Sequence, residues 1–502
     1  MSKVFDYSFP RVCYEIFVRS FCDSNGDGIG DLNGITSRLD YLQALGIEGI
    51  WLTPVHPSPS YHKYDVVDYY RIDPEYGTLD DYRNLLAEAH ARGIRVYMDL
   101  VIHHTSILHP WFEDAKCNSE SPYRGYYRWM SDSEIAEMGV EIRELTEDAH
   151  TVNPWHRIEG DSERFFGIFS REMADLNFDS QGVREEVYRI VDFWLNQIGV
   201  DGFRLDAARH IYPIWEDERN PGFWVEFGHE VEKLKKNTYL LGEVWADAEH
   251  VAPFFRGLTA NFNFDLCWKV EEILLSEIHC DLIPWLRYRR EMFEKVRVDY
   301  IDALMLSNHD HQRIGSTLNG NKDKMKLAAA ILLTLPGQPY LYYGEELGML
   351  GRKPDPLIRE PFLWGVPEFE AAWETPKYSR EEKVDSLRSA LSDSSSLFYC
   401  YQNLIRIRNN CSAIGEVNHT GITEVETDNP ALLAYIRRNE TSAFLVVHNL
   451  GKAKQNLALN KWPEGILAVR YASTCRFSVA GNKLILGKYN SVILELNWPK
   501  TR

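Results

Sequence analysis

One unit recurs along this chain of 502 residues: a helical pattern stops at a glycine, and a short apolar run follows at once. One example stops at Gly46 before residues 47–52, and another stops at Gly199 before residues 202–206. Glycine adopts the left-handed backbone conformation that ends many helices, so the breaks are expected at these positions. Such alternation of helices and buried strands predicts a parallel sheet.

Eight runs qualify as buried strands of this kind: residues 11–18, 47–54, 95–102, 202–207, 239–245, 261–266, 302–308 and 339–344. Eight strand–helix units predict a closed (β/α)8 TIM barrel, in which functional side chains gather at the carboxyl ends of the strands. A doubly wound open sheet is the alternative. The number of units, and the acids at several strand ends, favour the closed barrel.

Two stretches interrupt the alternation. About 100 residues separate the third and fourth predicted strands, far more than an ordinary connection needs, and residues 105–172 show only weak periodicity. They predict a small domain, B, inserted after strand 3. Short strand-like runs over residues 416–502 predict a C-terminal antiparallel β-sandwich, which leaves residues 1–104 and 173–415 for the barrel.

The composition limits the possible partners and compartments. A net charge of -19 argues against nucleic acid or an anionic membrane as a partner. The first residues contain no apolar run of signal-peptide length, and no run elsewhere could span a bilayer. The eight cysteines are scattered without a CxxC motif, as in reduced proteins. We therefore expect a cytoplasmic enzyme, or a periplasmic or secreted one if a leader has been removed.

Three of the apolar runs end in an acidic residue: Asp206, Glu243 and Asp310. A carboxylate inside such a core is costly, so each acid is expected where its strand meets solvent or a ligand. Three carboxylates at the same end of neighbouring parallel strands converge on one point. This arrangement suits chemistry on a neutral, oxygen-rich substrate such as a sugar, and three matching contexts argue against mere pairing with arginines of the barrel.

Four segments resemble, in the correct order, the conserved regions of glycoside hydrolase family 13, the α-amylase family: residues 99–104, 202–210, 242–245 and 307–310. The resemblance covers essentially the whole chain and implies the same barrel, insertion and C-terminal β domain. It implies Asp206 as the nucleophile, Glu243 as the general acid/base and Asp310 as the stabiliser of the transition state in a retaining reaction. Residues 172–177 resemble a further region, intermediate between oligo-1,6-glucosidase and neopullulanase types.

The resemblance also implies a set of sugar-binding residues: His62, Tyr64, His104, Arg204, Arg209, His210, His309, Asp355 and Arg359. Arg204 lies two residues before Asp206, on the same face of the strand, and can hold that carboxylate ionised. The apolar neighbours of Glu243 should raise the pKa of its carboxyl. The alternatives are loop packing for Tyr64 and an ordinary loop salt bridge for Asp355 and Arg359.

A glycine-rich segment carries oxygen ligands at alternate positions: Asp23, Asn25, Asp27, the backbone carbonyl of Ile29, and Asp31. This spacing is like the start of an EF-hand loop without its distal Glu, and it predicts a bound Ca²⁺; the alternative is an acidic turn. One residue departs from the family. His103 stands where many α-amylases have an Asn that helps bind calcium between the barrel and the inserted domain, so the 23–31 loop is the better calcium site.

Four hypotheses for function remain. The favoured one is an endo-acting α-amylase that cleaves α-1,4 bonds of maltooligosaccharides and starch-like glucans. A transglycosylating 4-α-glucanotransferase or neopullulanase-like enzyme shares all three acids and cannot be separated from it by sequence. Arg209 and His210 argue against an exo-acting α-glucosidase. A non-enzymatic transporter-associated domain would lack the acids and carry a membrane helix. The oligomeric state stays open.

Overall fold

The structure is a computed structural model and describes residues 9–140, 153–417, 421–459 and 465–497. Eight parallel strands close into a barrel: Cys13–Ile16 (β1), Gly49–Leu52 (β2), Arg95–Leu100 (β3), Gly202–Leu205 (β4), Tyr239–Gly242 (β5), Ala260–Asn263 (β6), Ile301–Leu304 (β7) and Gln338–Tyr342 (β8). β1 pairs with both β2 and β8, which leaves the barrel without an edge. The predicted (β/α)8 class is confirmed.

Helices follow the strands around the barrel: Leu32–Ser37, Leu39–Leu45, Leu79–Ala91, Gln181–Asp192, Asn220–Leu234, Ala248–Val251, Phe264–Ser276, Leu282–Glu294, Lys322–Thr334, Leu387–Ser392 and Leu397–Asn410. Gly46 and Gly199 take the left-handed conformation at helix ends, with φ of 96° and 100°. Thr78 and Asp81 form a capping box at the start of Leu79–Ala91. The glycine breaks therefore lie where the sequence predicts them.

The predicted strands were too long at their carboxyl ends. The run 261–266 stops at Asn263, because the Asn263 side chain accepts a hydrogen bond from the Leu266 N–H and starts a helix. The run 302–308 stops pairing at Leu304, although the next two residues stay apolar and buried. Apolar character records burial, and burial continues into the loops that carry the functional side chains.

The chain between β3 and β4 forms a small β-rich insertion. Its strands are His104–Ser106, Trp129–Ser131, Trp155–Arg157, Glu163–Phe166 and Met173–Asp175, with helices Pro110–Cys117 and Asp132–Met138. The first strand pairs antiparallel with the last, so the insertion leaves and rejoins the barrel through one two-stranded ribbon. This ribbon starts at His104, beside the carboxyl end of β3, and brings the insertion to the functional face.

The described residues of the C-terminal region form two antiparallel sheets. Five strands build the first sheet: Ile422–Glu424, Leu432–Arg438, Ala443–Asn449, Asn490–Leu496 and Ile466–Ala472. Three strands build the second: Gln455–Ala458, Lys483–Leu486 and Phe477–Ala480. Leu445 of the first sheet and Leu484 of the second share one apolar core, as predicted for a sandwich. The Arg437 guanidinium donates to the Thr334 carbonyl at 2.6 Å and joins the sandwich to the barrel.

The interior of the barrel is layered. Its middle is filled by buried, mostly aromatic and aliphatic side chains, among them Trp51, Tyr97, Tyr239, Phe262 and Tyr340. The ionisable groups lie above this layer, at the carboxyl ends of the strands. In the described part of the chain, no helix has the length and apolar character needed to cross a membrane.

Candidate active site

A single buried guanidinium organises the acids at the carboxyl ends of β3, β4 and β5. Arg204 is level with Asp99 of β3, and its Nη1 donates to Asp99 Oδ1 at 2.9 Å and to Asp206 Oδ1 at 2.7 Å. Its Nη2 lies 2.5 Å from Glu243 Oε1. Arg204 is only 1% exposed, so water does not screen these contacts. Asp206 and Glu243 therefore flank one fixed positive charge.

A second set of contacts surrounds Asp310 at the end of β7. The His309 ring donates from Nδ1 to Glu15 at 2.7 Å and from Nε2 to Asp310 at 3.0 Å. Burial lowers the pKa of His309, but Asp310 and Glu15 outweigh it and raise that pKa to about 10. Burial also raises the pKa of Asp310, yet the His309 and Arg359 cations hold it well below its ordinary value. Asp310 is thus an anion fixed by two cations.

The acids outnumber the cations in this cluster. Its cations are Arg204, His309 and Arg359, and its acids are Glu15, Asp99, Asp206, Glu243 and Asp310. Burial, with the nearby charges of Asp206 and Asp310, outweighs Arg204 and raises the pKa of Glu243 from 4.5 to about 8. Glu243 therefore holds a proton at neutral pH, as a general acid must.

The backbone helps to position Glu243. Ala207, directly after Asp206, has a φ of 46°, a left-handed conformation that is strained for a residue other than glycine. Its N–H donates to Glu243 Oε2 at 2.9 Å. The turn that follows Asp206 at the end of β4 thereby fixes the Glu243 carboxyl at the end of β5.

Tyr64 closes one side of the cluster. Its hydroxyl donates to Asp99 Oδ2 at 3.0 Å and lies 2.7 Å from His309 Nε2, and its ring stacks on the His309 ring with 5.4 Å between centroids. His62 accepts the Tyr64 backbone N–H at 3.1 Å. Both residues therefore lie at the site, which loop packing alone does not explain.

Asp355 and Arg359 also join the site. Arg359 Nη2 lies 2.7 Å from Asp310 Oδ1 and 3.3 Å from Asp355 Oδ2, and its Nη1 donates to the Tyr61 hydroxyl at 3.1 Å. The arginine is 3% exposed, which is unlike an ordinary surface pair. The loop after β8 thus contributes a cation that touches one of the three acids.

Arg209 and His210 lie on the short turn Ala208–His210 beyond β4. Arg209 Nη1 donates to the Trp245 carbonyl at 3.2 Å, which ties this turn to the segment after Glu243. The His210 ring packs against Phe169 of the insertion, with 5.9 Å between centroids. The turn consequently lies between the acids and the insertion.

His104 is held by its neighbours. Its Nε2 donates to the Tyr64 carbonyl at 3.1 Å, and its Nδ1 lies 2.9 Å from His103 Nδ1. Both ring nitrogens thus have protein partners in this structure.

His103, His104 and Asp175 are the one set of three possible metal ligands, within the described residues, whose ligand atoms lie within 4.8 Å of one another. Two nitrogens and one carboxylate do not fit calcium, which prefers an all-oxygen shell.

The 23–31 loop differs from the group of His103, His104 and Asp175 in the kind of ligand atoms that it offers. Asp23 accepts the N–H groups of Asn25 at 3.0 Å and Gly28 at 2.8 Å, and Asp31 accepts those of Ser24 at 2.9 Å and Gly34 at 2.7 Å. The predicted donors Asp23, Asn25, Asp27, Ile29 and Asp31 offer oxygen alone, which fits Ca²⁺. The aspartates of this loop are not gathered as closely as the histidine cluster.

Contributors to the site outside the predicted set include Glu15, Asp99 and the Ala207 N–H, and also Tyr61 beside Arg359. Glu15 could have been found, because it is a carboxylate inside the buried run that forms β1. Asp99 likewise lies inside the buried run that forms β3. No residue type in the sequence predicts the bond from the Ala207 N–H to Glu243, because this bond depends on a backbone angle.

The chain matches two known families. Residues 15–416 match the alpha amylase catalytic domain, and residues 432–493 match the alpha-amylase SusG C-terminal domain. It is 40% identical to Alpha-amylase 3 of Dictyoglomus thermophilum over 97% of this chain and 93% of that protein. It is 38% identical to a 4-alpha-glucanotransferase of Thermotoga neapolitana, over 73% of this chain and 79% of that protein. A crystal structure of alpha-amylase from H. orenii superposes with a TM-score of 0.87 at 38% identity and covers 97% of this chain and 99% of its own.

The fold and the cluster of acids define a glycoside hydrolase built on a (β/α)8 barrel. The chain belongs to the α-amylase family, glycoside hydrolase family 13.

Proposed function

We propose that this protein is a retaining α-glycosidase that cleaves internal α-1,4 bonds of maltooligosaccharides and starch-like glucans. The observation that carries the proposal is the pair of carboxyls on Arg204: Asp206 at 2.7 Å and Glu243 at 2.5 Å, with the pKa of Glu243 raised to about 8. A double displacement needs one carboxylate as the nucleophile and one protonated carboxyl as the acid.

In the first step, Asp206 attacks the anomeric carbon while the bond to the leaving oxygen breaks. The electron pair stays on that oxygen, which takes the proton of Glu243. The product is a glycosyl ester on Asp206. In the second step, Glu243 takes a proton from water, the water oxygen attacks the anomeric carbon, and the ester bond breaks to restore Asp206. Asp310, held by His309 and Arg359, stabilises the positive charge that develops on the sugar.

Internal cleavage is supported by contacts on both sides of the acids. Arg209 contacts the segment after Glu243, where a leaving sugar would bind, and His210 follows it on the same turn. Asp355 and Arg359 lie next to Asp310 on the other side. An enzyme that removes single terminal glucose units would gain little from binding sugars on both sides.

We also propose that the 23–31 loop binds Ca²⁺ through Asp23, Asn25, Asp27, the Ile29 carbonyl and Asp31. All five donors are oxygens, and three of them carry negative charge. The ion would supply a structural clamp for the loop between β1 and the helix Leu32–Ser37. The bond-breaking steps do not require it.

A 4-α-glucanotransferase is the second candidate, because a sugar can replace water in the second step and the Thermotoga neapolitana relative carries that name. Chromatography of products from maltopentaose separates the candidates. Early maltose and maltotriose support internal hydrolysis, products longer than the substrate support transfer, and glucose as the sole early product refutes internal cleavage.

Arg209→Ala should lower activity on maltopentaose and suppress any transfer by about tenfold, because it removes binding energy on the leaving-group side. Arg406→Ala is the matched control, since Arg406 is exposed and contacts its own helix at Asn403. Equal behaviour of the two variants on every substrate length would contradict this role of Arg209.

A further inference from the structure

A cluster of aromatic rings continues from the active site on the leaving-group side. Trp245, two residues after Glu243, stacks on Phe264 with 4.5 Å between centroids and 2° between planes. Trp268 lies on the second turn of the helix Phe264–Ser276, and its ring centroid is 6.1 Å from that of Trp245. The ends of β5 and β6 thus carry one connected aromatic surface.

The inner part of this surface is closely packed. Phe264 is only 2% exposed and supports Trp245 from below. His311, directly after Asp310, packs edge-on against Trp245 at 4.7 Å and against Trp268 at 5.5 Å. Its ring nitrogens have no hydrogen-bond partner among the described residues, and burial lowers its pKa to about 4. His311 is therefore neutral at physiological pH, and its ring packs against both indoles.

The outer part of the surface meets solvent. Trp268 is 43% exposed and is the one tryptophan among the exposed large apolar side chains of the described chain. Single exposed apolar residues are common, but the ring of Trp268 belongs to a cluster that reaches the acids. Water next to the apolar face of an exposed indole is displaced at little cost. Such a ring therefore favours contact with an apolar face of a ligand.

The surface is continuous with the predicted leaving-group contacts. Arg209 Nη1 donates to the carbonyl of Trp245 at 3.2 Å, and Trp245 itself is partly exposed. A glucan chain that leaves Glu243 past Arg209 would therefore pass Trp245 and then Trp268. Glucose rings have apolar C–H faces that suit flat aromatic surfaces.

We propose that Trp268, supported by Trp245 and His311, is a stacking residue for the glucan chain on the leaving-group side, beyond the sugar that Arg209 contacts. It makes the enzyme favour long substrates, and it holds acceptor sugars when transfer occurs. The proposal rests on the function proposed above.

The test compares maltotriose with maltohexaose in Trp268→Ala, Trp268→Leu and Trp268→Phe. Removing the indole should raise KM for maltohexaose by roughly five- to tenfold and raise KM for maltotriose distinctly less, as expected for the loss of one contact residue. Trp268→Phe keeps a ring and should recover most of the loss, whereas Trp268→Leu keeps only apolar bulk. Tyr288→Ala is the control, because Tyr288 is 49% exposed on the neighbouring helix Leu282–Glu294 and lies outside the cluster.

Calorimetric titration of the Glu243→Gln protein, with and without Trp268→Leu, gives a second readout that does not need turnover. Weaker binding of maltohexaose, with maltotriose less affected, supports the proposal. Equal changes for both lengths, or no change in either assay, would overturn it. If the unmodified protein cleaves no α-glucan, the proposed function fails as well; if it cleaves them and Trp268→Leu behaves as the parent does, the stacking role alone fails.

Discussion

The acids of the active site and the acids of the 23–31 loop are held in different ways. The Arg204 guanidinium joins Asp206 to Asp99 and Glu243, which lie at the carboxyl ends of the two neighbouring strands. Asp310 is held by Arg359, 49 positions further along the chain. Asp31 depends on N–H groups of Ser24 and Gly34, which are close in sequence. The first group is therefore brought together by the closed barrel, while the side chain of Asp31 is held by backbone near it in sequence.

This difference separates the expected effects of mutation. A guanidinium shared by Asp99, Asp206 and Glu243 holds the reacting carboxyls together, so the active-site cluster controls chemistry. Carboxylates bonded to backbone N–H groups fix the path of the chain, so the loop controls local stability. Variants of the two regions should therefore give different readouts.

The largest effect is expected for the two acids on Arg204. Asp206→Asn and Glu243→Gln should each lower kcat by roughly three orders of magnitude or more, because each group acts in bond breaking. Both replacements keep the size of the side chain, so circular dichroism should be unchanged. Asp385→Asn, which breaks an exposed pair with Lys322, is the control and should stay within about twofold. Activity within tenfold of the parent for either variant would contradict the catalytic role of that acid.

A smaller and graded effect is expected from pH. Because Glu243 must be protonated to act as the acid, kcat/KM should fall about tenfold per unit above its pKa of about 8. The raised pKa of Glu243 also makes the free energy of unfolding depend on pH. From pH 4.5 to 8 the folded state keeps a proton that the unfolded chain releases, so this group's contribution to stability decreases as pH rises through that window. Values of kcat/KM for maltopentaose between about pH 5 and pH 10 test the expected fall in activity. An alkaline fall of kcat/KM centred below about pH 6 would contradict it.

Much of the barrel could be predicted because burial leaves a direct record in sequence. The glycine breaks and apolar runs located all eight strands, and the acids that end three runs located the site. The boundaries were wrong where apolar residues continue past the last ladder hydrogen bond, as after Leu304. Burial and pairing are different properties, and the sequence pattern reports the first.

The rest of the site depends on three-dimensional contacts. The bond from the Ala207 N–H to Glu243 follows from a φ of 46°, which no residue pattern specifies. The contact between Arg359 and Asp310 joins residues 49 positions apart in sequence. The role of Trp268 depends on which helix face lies against Trp245, and this follows only once β5 and β6 are placed side by side.

The smallest effect concerns calcium and belongs to the loop. Adding Ca²⁺ to chelator-treated protein should raise the melting temperature by roughly 2–5 °C, because an ion that binds only the folded loop stabilises it by mass action. The kcat on maltopentaose should change far less than in the variants of Asp206 or Glu243. A melting temperature that responds to neither chelator nor calcium would remove the metal assignment.

Two variants sharpen this last comparison. Asp31 caps the helix Leu32–Ser37 through the Gly34 N–H, so Asp31→Ala should lower stability by about 1–2 kcal/mol even in chelator. Asp27 is exposed and accepts only short-range bonds from within the loop, from Asn25 and Ile29, so Asp27→Asn should cost little in chelator and should remove the gain on adding calcium. Thermal melts of both variants, with and without calcium, separate the structural part of the loop from the metal-dependent part. A calcium-dependent gain in Asp27→Asn as large as that of the parent would mean that the acids of this loop act through backbone hydrogen bonds alone.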